Sequence, residues 1–248
     1  MEKQLSGWSR NKFIKCKFFE PSSLTELKKI SKKKIIPRGM GRSYGDSSLQ
    51  KKSILSTKKI NKIINLDKKK KIIEVEAGIS VKDLLKFIIP KNLFLPVTPG
   101  SKFISIGGMV ASDVHGKNHH KKGSFRHHIL ELKIIDEKGK LLKCSKKNNR
   151  NLFNYSIGGM GLTGVIYSCK FKLISINSDQ VYQEKIKTLN LRDTINKLKL
   201  SNNWEYNVGW IDTSAGDTRL GRSIIFRGKH LKKSKKKNYY LKKILHFL

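Results

Sequence analysis

The chain has 248 residues, enough for one large domain or two small ones with a buried core. A hydrophobic content of 38% with three Trp, seven Tyr and eleven Phe is typical of a globular protein and excludes a wholly disordered chain. The 54 Lys and Arg against 18 Asp and Glu give a net charge of +36, which points to nucleic acid or an anionic membrane as a partner.

The basic excess has a second explanation. Most of it is Lys, accompanied by abundant Ile and Asn, and these three residue types rise together in AT-rich genomes. The lysines are spread over nearly every segment, whereas a nucleic-acid-binding face would gather basic residues between aromatic ones. We therefore expect no nucleic-acid partner, while peripheral contact with an anionic membrane stays open.

The cysteines and the N-terminal segment indicate the compartment. Cys16, Cys144 and Cys169 are far apart and form no C-x-x-C pair, which favours reduced thiols over a disulfide framework or a zinc knuckle. The opening MEKQLSGWSRNKFIK has no apolar run of the signal-peptide type. No stretch reaches the roughly 18 apolar residues that span a bilayer. We expect a cytoplasmic protein.

In chain order, the first predicted helix lies in 21–33, with Ser22 or Ser23 as its cap. A short strand then enters a glycine-rich turn over 34–46, and two or three strands follow over 53–80. A second helix, capped by a serine and ended near a proline, is predicted over 80–93.

The next elements alternate between turns and strands. A glycine pair opens a short helical segment that runs into a histidine loop over 104–120, and 128–145 has the pattern of a hairpin with a turn at DEKG. A further glycine cluster and a strand follow over 151–176. Many short strands interrupted by two helices predict an α+β fold class, with a first domain over 1–176.

The pattern changes after Ile176, and we expect a second domain over 177–248. A helix is predicted over 188–201, and strands over 203–213 and 222–228. The end, 228–248, is a charge run followed by a predicted apolar and basic helix.

Three glycine clusters are the main functional signal, and they read RGMGRSYGD, PGSKFISIGGMVASDVHG and GGMGLTGV. Glycine lets a backbone approach a ligand closely and allows successive N–H groups to form an anion nest. Neither a Walker loop nor the dinucleotide fingerprint matches the first cluster, and a tight turn between strands is its simplest alternative. Together with Ser43, Ser105 and Thr163, the clusters suit one extended ligand with several polar groups, such as a pyrophosphate joined to a flat ring system.

The segments PRGMGRSYGD, EVEAGIS, LPVTPGSKFISIGGMVASDVHGKNHH and GGMGLTGVI resemble the FAD-binding domain of the vanillyl-alcohol oxidase / p-cresol methylhydroxylase superfamily. IPRGMGRSYGD and DVHGKNHHKKGSF are most similar to its decaprenylphosphoryl-β-D-ribose 2-oxidase family, and the resemblance covers about 5–230. It implies a PCMH-type FAD-binding domain of two α/β subdomains, followed by the start of a substrate domain. It also implies oxidation of a polyprenyl-phosphate pentose at its 2′-hydroxyl, a step in the epimerisation that makes a cell-wall or glycan precursor.

The resemblance also implies which residues hold the cofactor. The first cluster would wrap the FAD pyrophosphate through Arg38, Gly39, Met40, Gly41, Arg42, Ser43, Tyr44, Gly45 and Asp46. The second would contribute Gly100, Ser105, Ile106, Gly107, Gly108, Ser112 and His115, and the third Gly161, Thr163, Gly164, Val165 and Ile166. Several relatives attach the flavin covalently through a histidine where this chain has Arg42, so we expect non-covalent FAD.

The histidine loop is implied to pass the flavin ring on the substrate side. His115 and Lys117 are then the candidates for the catalytic residues, by electrostatics and substrate positioning, with no assigned base. Lys117, Asn118 and Trp210 are the candidates for substrate contact, although Trp210 also fits a core position on a strand. For His119, His120, His127 and His128 we expect hydrogen-bonded loop or structural roles, and no metal, because no ligand completes a zinc set.

The family's substrate domain is longer than the part that follows Ile176, and its later part supplies a cysteine and a lysine that have no match here. The expectations are thus a truncated sugar oxidase, with a companion chain or a reductase that completes the epimerisation as its candidate partner. The alternatives are an aldonolactone or alditol oxidase, a flavin-binding fragment without catalysis, and a basic nucleic-acid-binding protein.

Overall fold

The structure is a computed structural model that describes residues 1–232 and the backbone of 241–243. The chain divides into two compact units. The first comprises Met1–Pro96, Ser101–Val114 and Ser124–Ile174. The second comprises Val97–Gly100, His115–Gly123 and the described residues from Ser175 on. Mixed helices and strands in several sheets confirm the α+β fold class.

The first unit has eleven strands, of which β11 ends at the boundary. They are β1 Glu2–Ser6, β2 Phe13–Phe19, β3 Ile36–Arg38, β4 Ser53–Ser56, β5 Ile63–Asp67, β6 Ile72–Glu76, β7 Leu93–Phe94, β8 Ile129–Ile135, β9 Leu141–Ser145, β10 Val165–Lys172 and β11 Ile174–Ser175. Its α-helices are α1 Leu24–Ser31, α2 Val81–Ile88, α3 Ile106–Ala111 and α5 Arg150–Ser156, with short 3-10 turns at Ile89–Lys91 and Phe125–His128.

A four-stranded sheet in the order β1-β2-β4-β3 carries the first glycine cluster at its edge. Strand β4 pairs in parallel with both β2 and β3, so that Arg38, the last residue of β3, lies opposite Ser56. In β2 the alternation of apolar and polar residues buries Ile14, Cys16 and Phe18 against Ile54 of β4. This packing fixes the strand end from which the glycine loop starts.

The second sheet of this unit has five antiparallel strands in the order β5-β6-β10-β8-β9. The predicted hairpin is confirmed, because β8 pairs with β9 from Glu131↔Ser145 to Ile135↔Leu141. A cluster of buried residues joins this sheet to α1 and β4, and its members are Leu27, Leu55, Ile60, Ile135 and Val165. The third glycine cluster precedes β10, so the same sheet holds it in place.

Helices α1 and α2 begin and end as the sequence predicts. Ser23 and Ser80 are the N-caps, and their hydroxyls accept hydrogen bonds from the backbone N–H of Glu26 and Asp83, respectively. Helix α2 buries Val81, Leu84, Leu85 and Ile88 and passes into the 3-10 turn that contains Pro90. The prediction of both helices is confirmed.

The second unit contains α4 His119–Lys122, α6 Leu191–Leu200 and four strands: β12 Gln180–Lys187, β13 Tyr206–Ile211, β14 Ser223–His230 and β15 Leu241–Lys243. A 3-10 turn spans Asp217–Arg219. The strands form one sheet in the order β13-β14-β12-β15. The predicted helix over 188–201 and both predicted strands are confirmed.

The predicted C-terminal helix is wrong where the structure describes it. The backbone of Leu241–Lys243 pairs antiparallel with β12, from Gln180↔Lys243 to Tyr182↔Leu241, because the edge of β12 offers hydrogen-bonding partners there. The other residues of that prediction, 233–240 and 244–248, lie outside the described residues. No helix in the described part of the chain has both the length and the apolar character needed to cross a membrane.

Candidate cofactor cleft and histidine loop

The three glycine clusters meet at one cleft in the first unit. The residues that line it are Pro37, Arg38, Gly39, Met40, Gly41, Arg42, Ser43, Ser47, Ser48, Thr57, Ala77, Ile104, Ser105, Gly107, Gly108, Ala111, Ser112, Val114, Met160, Gly161, Gly164 and Ile166. The cleft is open at its mouth, and the space between its walls, with the solvent at the opening included, is about 840 Å³.

Close approach between the clusters explains why glycines are needed. A Cβ on Gly39 would overlap Ser105 Oγ, so the first and second clusters touch at a point with no room for a side chain. A Cβ on Gly161 would lie 2.8 Å from Pro37 Cγ, which brings the third cluster against β3. A Cβ on Gly107 would lie 2.8 Å from the Cβ of Ala77, and its N–H donates to Ala77 O at 2.7 Å.

The first glycine loop is supported from beneath by Arg38. Its guanidinium donates to Ser6 O at 2.7 Å and to Ser48 Oγ at 3.1 Å, and burial lowers its pKa. Gly41, at φ +64, lies where a Cβ would overlap this guanidinium. The side chain of Arg38 therefore shapes the loop, and the loop's backbone N–H groups are the candidates for contact with a ligand, while the Ser43 hydroxyl lies 3.1 Å from Ser48 Oγ.

Arg42 lies where a flavin-linking histidine would fall in several relatives. Its guanidinium is stacked on the indole of Trp8, with Cζ 4.8 Å from the ring centroid. The backbone N–H of Trp8 donates to Ser43 O at 3.2 Å, so the N-terminal segment backs the loop. Trp8 could not be predicted as part of the site, because it lies 34 positions from Arg42 and gives no local signal.

Some predicted cofactor residues lie away from the cleft lining. Tyr44 is 83% exposed, and Gly45 and Asp46 follow it on the surface. Thr163 Oγ1 lies 2.7 Å from Ser156 Oγ of α5, and Ile106 and Val165 are buried core residues. Gly100 belongs to the second unit.

The cleft fits FAD on two observations. Among the described residues that line it none is Asp or Glu, while Arg38 and Arg42 are positively charged, as a pyrophosphate requires. Gly41 in the loop has a positive φ, a conformation that anion nests use. Ser105 caps α3 by accepting from Gly108 N at 3.2 Å, which fixes the glycine pair in the cleft wall.

The histidine loop belongs to the second unit, and its backbone is fixed on both sides of Lys117. The N–H of Lys117 donates to Thr98 O at 3.1 Å, and its carbonyl accepts from Asn207 N at 2.7 Å. Gly116 is required here, since a Cβ would overlap Thr98 O. Burial lowers the pKa of Lys117, whereas the side chain of His115 is exposed.

Asn118 is fully buried, and its Oδ1 accepts from both the N–H and the hydroxyl of Thr98 at 3.3 Å. In this structure it holds the loop to the segment Val97–Gly100. Trp210 is 68% exposed on β13, with its ring 5.5 Å from that of Phe226. The core position considered for Trp210 is therefore wrong, and substrate contact stays a prediction.

Three further histidines, His119, His120 and His127, each lie within hydrogen-bond distance of a backbone carbonyl. His119 Nδ1 lies 3.2 Å from Gly116 O, and His120 Nε2 lies 2.9 Å from Trp204 O. His127 Nδ1 lies 3.2 Å from Ser124 O in the first unit. Across the described residues, no three His, Cys, Asp or Glu side chains are grouped so that they could hold a metal ion.

Comparison with known proteins places the chain among flavoproteins. It is 29% identical to the decaprenylphosphoryl-beta-D-ribose oxidase of Mycolicibacterium smegmatis, over 91% of this chain and 52% of that protein. It is 26% identical to a D-lactate dehydrogenase of Anaerostipes hadrus, over 62% of this chain and 34% of that protein. It is 25% identical to the mouse L-gulonolactone oxidase, over 63% of this chain and 37% of that protein.

The chain spans about half the length of the decaprenylphosphoryl-beta-D-ribose oxidase that it matches, and about a third of the other two proteins. A family model described as the FAD binding domain matches residues 20–145, which are 126 of the 248 residues. This range includes the first two glycine clusters and most of the cleft wall. The chain therefore belongs to the FAD-binding-domain family, with a domain of the PCMH type.

Proposed function

We propose that this chain carries the cofactor site of an FAD-dependent oxidoreductase that oxidises a CH–OH group of a sugar. The observation that carries the proposal is the meeting of three glycine clusters at one cleft with two arginines and, among its described residues, no carboxylate. In the proposed arrangement, residues 1–176 form the FAD-binding domain and 177–248 begin a substrate domain.

FAD is proposed to bind non-covalently. The first loop, 38–46, contains no histidine, the residue through which several relatives attach the flavin, and Arg42 is engaged with Trp8. The backbone of Gly39, Gly41 and Ser43 would hold the pyrophosphate, and the second and third clusters would hold the rest of the cofactor. When bound, FAD supplies the hydride acceptor for oxidation of the alcohol.

Lys117 and His115 are proposed to act on the hydroxyl that loses a proton. The lowered pKa of Lys117 brings its neutral amine closer to the working pH, and hydrogen bonds on both sides of the residue hold its backbone in place. Asn118 would act by keeping the loop on Thr98. Trp210 offers an exposed aromatic face, which suits contact with a sugar ring.

A polyprenyl-phosphate pentose is the proposed substrate. The support is the name of the M. smegmatis relative, a decaprenylphosphoryl-ribose oxidase, together with the strongly basic composition, which suits a lipid phosphate at an anionic membrane. A reductase would complete epimerisation.

Mixing the FAD-loaded protein without oxygen with a polyprenyl-phosphate ribose tests this proposal. Loss of the flavin's visible absorbance on adding the sugar supports the activity. If FAD binds but neither this sugar nor an aldonolactone reduces it, the chain is a flavin-binding part without catalysis of its own.

An aldonolactone oxidase is the second candidate. The similarity to mouse L-gulonolactone oxidase favours it, at 25% identity against 29% for the ribose oxidase. Adding L-gulonolactone in the same experiment separates the two candidates. An aldonolactone oxidase would lose its flavin absorbance with L-gulonolactone only, and a ribose oxidase with the polyprenyl-phosphate ribose only.

A further inference from the structure

An ion pair within the first unit joins two of the glycine clusters. Arg126 Nε donates to Asp113 Oδ2 at 3.0 Å, and the backbone N–H of Arg126 donates to Asp113 Oδ1 at 2.9 Å. We infer that Asp113 and Arg126 are positioning residues that hold the second and third clusters together at the cleft. The inference goes beyond the proposed function, and only its second test below depends on FAD.

Asp113 is placed for this role by its backbone. It follows α3 directly, and its φ of +41 turns the chain sharply after Ser112. Asp is among the few non-glycine residues that tolerate this conformation. The turn directs the carboxylate at Arg126, which lies just after the histidine loop along the chain.

Arg126 also reaches the third cluster. Its Nη2 donates to Ile157 O at 2.6 Å and its Nη1 donates to Asn154 O at 3.5 Å, at the end of α5. Gly158 packs over the pair: a Cβ there would lie 3.5 Å from Asp113 Cβ and 3.8 Å from Arg126 Nη2. One guanidinium thus bridges the segment after α3 and the segment that opens the third cluster.

Backbone hydrogen bonds show that these two segments are in register. Gly158 N donates to Val110 O and Met160 N donates to Ala111 O, both at 2.9 Å. The residues on either side of these bonds form part of the cleft wall, namely Ala111, Ser112, Val114, Met160 and Gly161. A shift of the third cluster against α3 would therefore change the shape of the cleft.

The same pair closes the two ends of the histidine loop. Phe125 N donates to Val114 O at 2.9 Å, next to the Asp113–Arg126 contacts. The chain leaves the first unit after Val114 and returns at Ser124. The pair consequently fixes the two residues, Val114 and Ser124, at which the loop that carries Lys117 leaves and rejoins the first unit.

The geometry requires an arginine. The planar guanidinium uses Nε for the carboxylate and Nη2 for a carbonyl on another segment, and a lysine ammonium on a flexible stem cannot meet both in this way. If Arg126 acted only by its positive charge toward an anionic cofactor, Arg126→Lys would be a silent change. This difference makes the lysine variant the decisive test.

The first test uses the protein without FAD. Hydrogen exchange, read by mass spectrometry or NMR, would follow the amides of Gly158, Met160 and Phe125. We expect exchange about tenfold faster in Arg126→Lys, because hydrogen bonds to a charged group are lost. The control is Lys143→Met, which removes an ion pair of the same 3.0 Å length with Glu131 and should leave these amides within about twofold.

The second test measures FAD affinity by flavin-fluorescence titration of the same variants. Arg126→Lys should bind FAD about tenfold more weakly and Asp113→Asn, which keeps the backbone contact, less so. Unchanged amide exchange in Arg126→Lys overturns the inference, as does faster exchange together with unchanged FAD affinity. A wild-type protein that binds no FAD, with exchange still faster in Arg126→Lys, overturns the proposed function and leaves the bridge standing.

Discussion

Several glycines in the cleft wall, Gly39, Gly107 and Gly161 among them, lie where any side chain would collide with a neighbouring segment. Gly107 is the clearest case, because its neighbour is rigid: a Cβ would lie 2.8 Å from Ala77 Cβ and 3.0 Å from Ala77 O. Alanine normally improves a helix over glycine, so any loss at this position comes from the close approach. Gly209, with nothing within 4 Å of an added Cβ, offers the opposite case.

Gly107→Ala should lower the free energy of unfolding by about 1–3 kcal/mol, the usual effect of overpacking, and weaken FAD binding. Gly209→Ala should change the stability by less than about 0.5 kcal/mol. Thermal melting of the two variants beside the wild type is the measurement. Equal melting temperatures for all three proteins would show that the close approach at Ala77 is not what requires glycine.

Lys117 should lose its proton at a lower pH than exposed lysines do, because burial lowers its pKa from the ordinary 10.5. The neutral amine of Lys117 is the form that the folded state favours. Its contribution to folding stability is therefore fully present above pH 10.5, the ordinary pKa. It is lost as the pH falls through the lowered pKa, because the folded state then takes up a buried charge. Competitive acetylation at a series of pH values, read by mass spectrometry, gives the midpoint. Lys143, with a side chain 60% exposed, is the reference, and equal midpoints would contradict the prediction.

For single residues, the sequence shows which positions need a particular residue type better than it shows where a side chain points. The glycines and Ser105 could be identified because backbone close approach and capping depend on the residue and its immediate neighbours. The inward turn of Arg38 toward Ser6 and the stacking of Arg42 on Trp8 depend on contacts with residues about 30 positions away. Asn118 likewise has a partner, Thr98, that local spacing does not reveal.

Among the elements, helices with serine caps were predictable. Ser80 begins α2, and its hydroxyl accepts from Asp83 N at 3.0 Å and donates to Asp83 Oδ2 at 2.6 Å. Both contacts follow from residues three positions apart, so they are visible in the sequence. The helix in turn carries four buried apolar residues into the core of the first unit.

Ser80→Ala should destabilise the protein by about 1 kcal/mol through loss of the cap. For a chain of this size that corresponds to a fall in melting temperature of about 2–4 °C. Ser175→Ala, at an exposed serine, is the control and should melt as the wild type does. Identical melting of both variants would mean that α2 does not depend on its cap.

Other elements were not predictable. Helix α5 buries only Phe153 and Ser156, so it lacks the apolar periodicity that marks a helix. Strands β1, β2 and β12 were not assigned either, although β2 alternates buried and exposed residues clearly. The C-terminal helix was wrong at Leu241–Lys243, where pairing with β12 decides the conformation and local propensity does not.

Over the whole molecule, the fold brings together clusters that are about 60 residues apart along the chain. Their convergence could be expected only from the resemblance to a known family, because no local pattern encodes which loops meet. A second domain was expected only from residue 177 on, so the assignment of His115–Gly123, the histidine loop, to the second unit was not predicted. Of the basic residues behind the net charge of +36, Arg38 and Arg42 line the cleft, and its described lining contains no lysine.

The central claim is that the cleft of the first unit holds FAD without a covalent bond, and a visible spectrum tests it most directly. The purified protein would be incubated with FAD, freed of excess cofactor, and recorded before and after acid precipitation. The account predicts flavin absorption in the protein, which acid releases entirely into the supernatant. A protein that stays colourless would contradict the FAD site, and colour retained in the pellet would contradict non-covalent binding.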